Sequence, residues 1–186
     1  AASNYSLNST VINIAKRVLN SSGSKLYDAN TNALAGAITL NNLVSGEALN
    51  HSGTATISSA NVASYTISNL SGISIADGSG GTASNYTLTG GTHNFTVNQR
   101  PLNATLARQY DGTTTAAGST LSSFDALQGG ETLTLSGSGT AANDNVANGI
   151  SVSSLGTLAL ANGTGAASNY SLNSAAINST QRVLNS

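Results

Sequence analysis

A chain of 186 residues with 7% charged side chains and a formal net charge of −1 carries no basic face for nucleic acid or an acidic membrane surface. It has no Cys, so disulfide staples are excluded and stability must come from packing. The same lack suits export as an unfolded thread through a narrow pore. Hydrophobic residues reach 39% while aromatics stay at 4%, and charge and Pro are too sparse for a typical disordered chain. No apolar run approaches the roughly 18 residues that cross a bilayer, and no signal peptide is visible.

The chain opens on ASNYSLNSTVINIAKRVLNS, Ala2 to Ser21, and closes on ASNYSLNSAAINSTQRVLNS, Ala167 to Ser186. A looser copy, ASNYTLTGGTHNFTVNQRPLNATL, runs from Ala83 to Leu106. The expected division is residues 1–16 as the end of a preceding repeat and 17–99 as the first unit. Residues 100–181 form the second unit, and 182–186 start a following one, the whole cut from a longer chain. Each unit is about 80 residues, longer than the roughly 20–50 of a solenoid coil, so each is expected to be a small domain.

In chain order, the first unit gives Tyr27-Asp28, Gly46-Glu47, Asn61-Val62 and Asn85-Tyr86. The second answers with Tyr110-Asp111, Gly130-Glu131, Asn145-Val146 and Asn169-Tyr170. Between these marks the apolar period is two. Tyr65 and Ile67, Ile73 and Ile75, Phe95 and Val97, then Leu102, Ala104 and Leu106 all alternate with polar neighbours. Leu133 and Leu135, Ile150 and Val152, Leu158 and Leu160 continue the pattern, which marks strands with one buried face. Turn signals separate them at Asp77-Gly78, Gly90-Gly91, Asp111-Gly112 and Gly129-Gly130. Leu121–Leu127, matched by Thr39–Val44, reads as one turn of helix or a loop. The fold class expected is mainly β, each unit a small β-sandwich or a β-grasp-like roll.

No Gly/Ser linker separates the units. Pro101 fixes its own φ and biases Arg100 toward extended backbone, so strand should run almost directly into strand, giving a stiff, elongated rod. Arg17, Arg100 and Arg182 recur at unit starts. A salt bridge to a carboxylate of the neighbouring unit would set the angle between domains; a solubilising exposed Arg fits equally well.

The recurring Tyr27, Asp28, Tyr110, Asp111 and Gly112, with Asn85, Tyr86, Asn169 and Tyr170, read as structural signature. Tyr supplies ring area to an aromatic-poor core, and Asp or Asn shapes the adjoining turn. The chain has seven carboxylates, but only the Asp28/Asp111 and Glu47/Glu131 positions recur, and no paired-carboxylate cleft is indicated. Asn143-Asp144-Asn145 lacks the ligand count and spacing of a calcium loop. His51 and His93 have no counterparts in the second unit and are expected on strand surfaces. No catalytic residue, metal or cofactor is expected. Asn-x-Ser/Thr sequons, among them Asn4, Asn8, Asn20, Asn85, Asn94, Asn103, Asn169 and Asn178, make glycosylation a candidate modification.

The run YDGTTTA at Tyr110–Ala116, a GGE some twenty residues on and a closing SNYSL resemble the YDG-type repeat of filamentous-haemagglutinin-like bacterial adhesins, itself similar to the MBG repeats of related surface proteins. The resemblance spans both units. YDAN in the first unit departs by carrying Ala29 for Gly, which predicts a different turn there. What the resemblance implies is a secreted, cell-surface protein in which these repeats form a stalk and serve cell adhesion. The expected partners are neighbouring repeats of the same chain. Host glycan or matrix protein bound by the repeats, or self-association through strand edges in a biofilm or filament, are the competing expectations. Neither nucleic acid nor direct membrane insertion is expected.

Overall fold

Side chains alternating at a period of two, punctuated by Gly and Asn turns, build strands and little else. The computed structural model describes residues 12–67 and 69–184. The sequons at Asn4 and Asn8 lie outside the described residues.

In the first unit the strands are β1 (Arg17–Val18), β2 (Asn20–Leu26), β3 (Asn32–Leu34), β4 (Ile38–Asn41), β5 (Leu49–Thr56), β6 (Ala63–Thr66), β7 (Ile73–Asp77), β8 (Tyr86–Thr87) and β9 (His93–Asn98). The second unit contributes β10 (Arg100–Gln109), β11 (Thr115–Ala117), β12 (Leu121–Phe124), β13 (Leu133–Ser136), β14 (Ser138–Ala141), β15 (Ile150–Ser154), β16 (Ala159–Asn162) and β17 (Tyr170–Thr180). The protein is mainly β. Its helical turns among the described residues are three-residue 3₁₀ turns, such as Ala35–Ala37 and Gly118–Thr120.

The opening and closing strands of each unit lie side by side and parallel: β2 pairs with β9, and β10 with β17. Around them the order β4-β2-β9-β6 in the first unit recurs as β12-β10-β17-β15 in the second. A second sheet, β3-β5-β7, faces the first. Phe95 and Val97 from one layer and Ala33 and Ala55 from the other share a core. That packing is a small sandwich. In the second unit the counterpart of β5 is divided at Gly137 into β13 and β14. Because β14 also pairs with β15, the two layers run together into a six-stranded sheet.

Size is conserved across one core position by exchange. Gly23 lies opposite Phe95 in the β2–β9 pair, and Leu106 lies opposite Ile177 in the β10–β17 pair. A Cβ on Gly23 would come within 2.8 Å of the Phe95 ring and 2.3 Å of the Ala37 carbonyl oxygen. A large ring over a bare backbone fills the space that two aliphatic side chains share in the other unit.

The helix-or-loop expectation for Thr39–Val44 and Leu121–Leu127 is corrected in the first part of each stretch: residues 39–41 and Leu121–Phe124 are strand, in β4 and β12, antiparallel to β2 and β10, and the rest of each is loop. The misleading signal was the three-residue spacing of Leu121 and Phe124. A bulge places Leu121 opposite Leu106 and Phe124 opposite Ala104, with Ser123 opposite Thr105. The extra residue turns a helix-like spacing into one strand face.

Among the described residues every strand pairing lies within 17–98 or within 100–180, yet the apolar core does not stop there. Leu102, Leu133 and Tyr170 pack in one cluster with Tyr27, Ile57 and Phe95.

Candidate functional site at the joint between units

β2 ends where Tyr27 donates its backbone N–H to the Asn98 carbonyl at 2.9 Å. That bond carries the Tyr27 ring off the end of the sheet and onto the second unit. The turn that follows is set by Asp28, whose carboxylate accepts the Asn30 N–H at 3.2 Å. Asp111 does the same for Thr113 at 3.0 Å. Ala29 sits at φ 61° and Gly112 at φ 71°, so the two turns are alike. The expectation of a different turn after Asp28 is corrected. Ala29 is held in the left-handed region that Gly occupies freely. Lys25 pairs with Asp28 at 2.8 Å and Arg108 with Asp111 at 3.5 Å.

Beyond the turn, the Tyr27 ring meets the Tyr170 ring edge to face, with centroids 5.2 Å apart and planes at 76°. Both hydroxyls donate to one carboxylate: Tyr27 to Glu131 Oε1 at 2.5 Å and Tyr170 to Glu131 Oε2 at 2.6 Å. The Tyr170 oxygen also accepts the Gln128 N–H at 3.1 Å. Gly165 lies against the carboxylate, where a Cβ would come within 2.7 Å of Glu131 Oε2. Burial, then the bond to the Glu131 carboxylate, pushes the Tyr27 phenol up to about 12. The same two causes raise Tyr170. A phenolate beside a carboxylate in this pocket would be two unscreened negative charges, so the clasp requires the protonated ring.

Three further contacts cross the joint. Arg100 Nε donates to the Tyr27 carbonyl at 2.7 Å. Asn169, 1% exposed, accepts the Val62 N–H at 2.9 Å and donates to Asn61 Oδ1 at 3.0 Å. Gln99 Nε2 donates to the Ser168 carbonyl at 3.1 Å. Of the two expectations for the unit-start Arg, a salt bridge or an exposed side chain, Arg100 follows neither: it crosses the joint by its bond to the Tyr27 carbonyl. Arg17 turns instead to Asn42, donating to its carbonyl at 2.6 Å and its side-chain oxygen at 2.9 Å. Arg182 and Pro101 are exposed, Pro101 lying in β10 opposite Ser171.

The first unit holds the same arrangement less one partner. Tyr86 donates to Glu47 Oε2 and accepts the Val44 N–H, and the Glu47 bond raises the Tyr86 phenol. Glu131 and Asn61-Val62 were legible only as recurring pairs. Their contacts join residues far apart in sequence, and the recurrence of Gly-Glu was the signal that could have singled them out.

Other candidate residues separate from this site. His93 is buried, not on the surface as expected; its Nε2 donates to the Leu88 carbonyl at 2.8 Å, which leaves Nδ1 to accept the Ser21 hydroxyl at 3.0 Å. The fixed register of β2 against β9 places Ser21 opposite His93, so the ring serves as a core polar bridge. His51 is half-buried, its Nε2 within 3.0 Å of the Ala35 and 2.8 Å of the Ile38 carbonyl oxygens. Of the sequons, Asn169 is closed to modification in the folded chain by its burial. Asn85 and Asn94 are exposed, and Asn20 and Asn178 half-buried. Asn103 is exposed but engaged: its side chain donates to Asp125 at 2.7 Å and accepts from Ser174 at 2.6 Å. Among the described residues no group of three or more His, Cys, Asp or Glu comes together, and no helix is long and apolar enough to cross a membrane.

The family model of the YDG domain matches the chain twice, over residues 14–93 and 96–178. The chain belongs to the YDG domain family. No curated protein and no solved structure matches it. In the first unit the signature Tyr-Asp thus has a location: Tyr27 reaches into the second unit, and Asp28 turns the chain back into its own.

Proposed function

We propose that this pair of YDG repeats is a structural stalk segment of a large secreted bacterial surface adhesin, holding an adhesive region away from the cell. The observation that carries the reading is the joint. A spacer-free connection through Gln99, a shared apolar core and the Tyr27–Glu131–Tyr170 clasp resist bending between consecutive repeats. Repeating such a joint yields a stiff, elongated rod, because each unit fixes the direction of the next. Low charge and absence of Cys suit a thread exported unfolded and folded outside.

A swap in the full-length parent tests this. Replacing residues 17–181 with two unrelated rigid β domains of equal length should leave bacterial attachment unchanged, because a stalk contributes reach alone. Loss of attachment, together with binding of the isolated repeats on a glycan or matrix-protein array, would overturn it in favour of repeats that bind directly.

A further inference from the structure

Each half of the internal joint has a twin at an outer end of the chain. At the far end of the second unit, Tyr110 is the counterpart of Tyr27. Its backbone N–H meets Thr180 as that of Tyr27 meets Asn98. Yet Tyr110 is 41% exposed where Tyr27 is 3%. Val146, the counterpart of Val62, is 43% exposed. Tyr110 and Val146, two apolar side chains gathered at one end and each matching one that the internal joint covers, form a surface built for cover.

At the near end of the first unit the complementary half is present. Glu47 takes the Tyr86 hydroxyl on Oε2, as Glu131 takes Tyr170, while the oxygen that in Glu131 receives Tyr27 has no second Tyr among the described residues. Asn85 is exposed, where its counterpart Asn169 is locked onto Asn61 and Val62 of the unit before.

We propose that these two ends are the halves of one further joint, and that the end carrying Tyr110 and Val146 docks the Glu47–Tyr86 face of a second copy of this chain joined to it head to tail in register. Tyr110 donates to the free oxygen of that Glu47 and packs on that Tyr86. Asn85 of the incoming unit caps Asn145 and Val146. The contact is heterologous, joining two unlike faces, so each added copy presents the same open end again. The inference takes its biological sense from the stalk reading but its geometry from the internal joint alone.

Residues 2–16 repeat the sequence of 167–181, so a second copy must be joined in register, with Gln181 of the first continuing into Arg17 of the next. The test compares nitration of Tyr110 by tetranitromethane, read by peptide mass spectrometry, in the full chain and in this tandem. Under conditions that nitrate Tyr110 fully in the full chain and leave Tyr27 unmodified, the nitrated fraction of the Tyr110 peptide should fall twofold in the tandem, since one of its two copies is covered. Glu47→Ala in the second copy should return that fraction toward the full-chain value. Full nitration of both Tyr110 copies with Tyr27 still protected would overturn the proposal. The attachment swap reads a different property, so a failed stalk with a protected Tyr110 leaves the joint standing.

Discussion

Tyr27 of the first unit and Tyr170 of the second share the carboxylate of Glu131, one hydroxyl on each oxygen, with their rings packed edge to face at 5.2 Å. One acidic side chain therefore ties the end of one repeat to the closing motif of the next. The arrangement works because the acceptor is ionised and both donors are neutral, which makes each bond stronger than one between uncharged groups.

Removing one hydroxyl should weaken the joint without disturbing its packing. Tyr27→Phe keeps the ring contact and leaves Glu131 Oε1 without its donor, at a cost of about 2 kcal/mol. Urea unfolding followed by far-ultraviolet circular dichroism measures it. Glu131→Ala strips both hydroxyls of their acceptor and should cost more than Tyr27→Phe, whereas Glu47→Ala, which frees Tyr86 alone, should cost less than Glu131→Ala. Equal losses for the two glutamates would show that the clasp adds nothing across the joint.

Alkali should loosen the joint in a defined window. The Tyr27 phenol rises from 10.0 to about 12 on folding. Below pH 10 the ring is protonated in both states and its contribution is complete. As pH rises from 10 toward 12 the unfolded chain loses the proton first, and the contribution declines. Stability should fall over that interval and fall less steeply in Tyr27→Phe. Tm recorded across pH 9 to 12 checks the slope.

On the acid side, Asp125 is held below its ordinary value, first by the Asn103 backbone N–H and then by the Asn103 side chain, against an opposing push from burial. Its contribution is present above pH 3.8 and is lost as pH falls through the lowered value. Asp125→Asn should flatten the acid limb of the Tm profile below pH 4, and an unchanged limb would remove the Asp125–Asn103 contact from the account.

Ala29 occupies φ 61°, a region that costs an L-residue roughly 1–2 kcal/mol, while Gly loses about 0.5–1 kcal/mol through its freer unfolded chain. Ala29→Gly should thus stabilise the protein by up to about 1 kcal/mol. A Cβ on Gly129 would come within 3.3 Å of the Ala29 methyl, so the methyl lies beside the second unit and its removal offsets part of the gain. A raised midpoint in urea is the expected result; a lowered one would place the Ala29 methyl among the contacts that hold the joint.

Period-two alternation, Gly and Asn turns and the twice-stated Tyr-Asp and Asn-Tyr marks were enough to read a mainly β chain of repeated units, because side-chain direction in a strand and backbone freedom in a turn are local properties. The same locality explains the misreading at Leu121–Phe124. A bulge is fixed by the partner strand, and a sequence holds no direct record of its partner. It explains the Ala29 turn too, where the surrounding contacts hold a residue in a conformation its own preference opposes.

Only the tertiary structure decided which residues meet at the joint. Tyr27, Glu131, Asn169 and Arg100 come together through the parallel pairing of β10 with β17, which brings the closing motif of the second unit back beside the end of the first. Pairings this distant in sequence depend on the whole fold. The sequence alone determined that Tyr27 and Tyr110 are equivalents; the packing decided that one is covered and the other open, because burial belongs to neighbours and not to the residue itself.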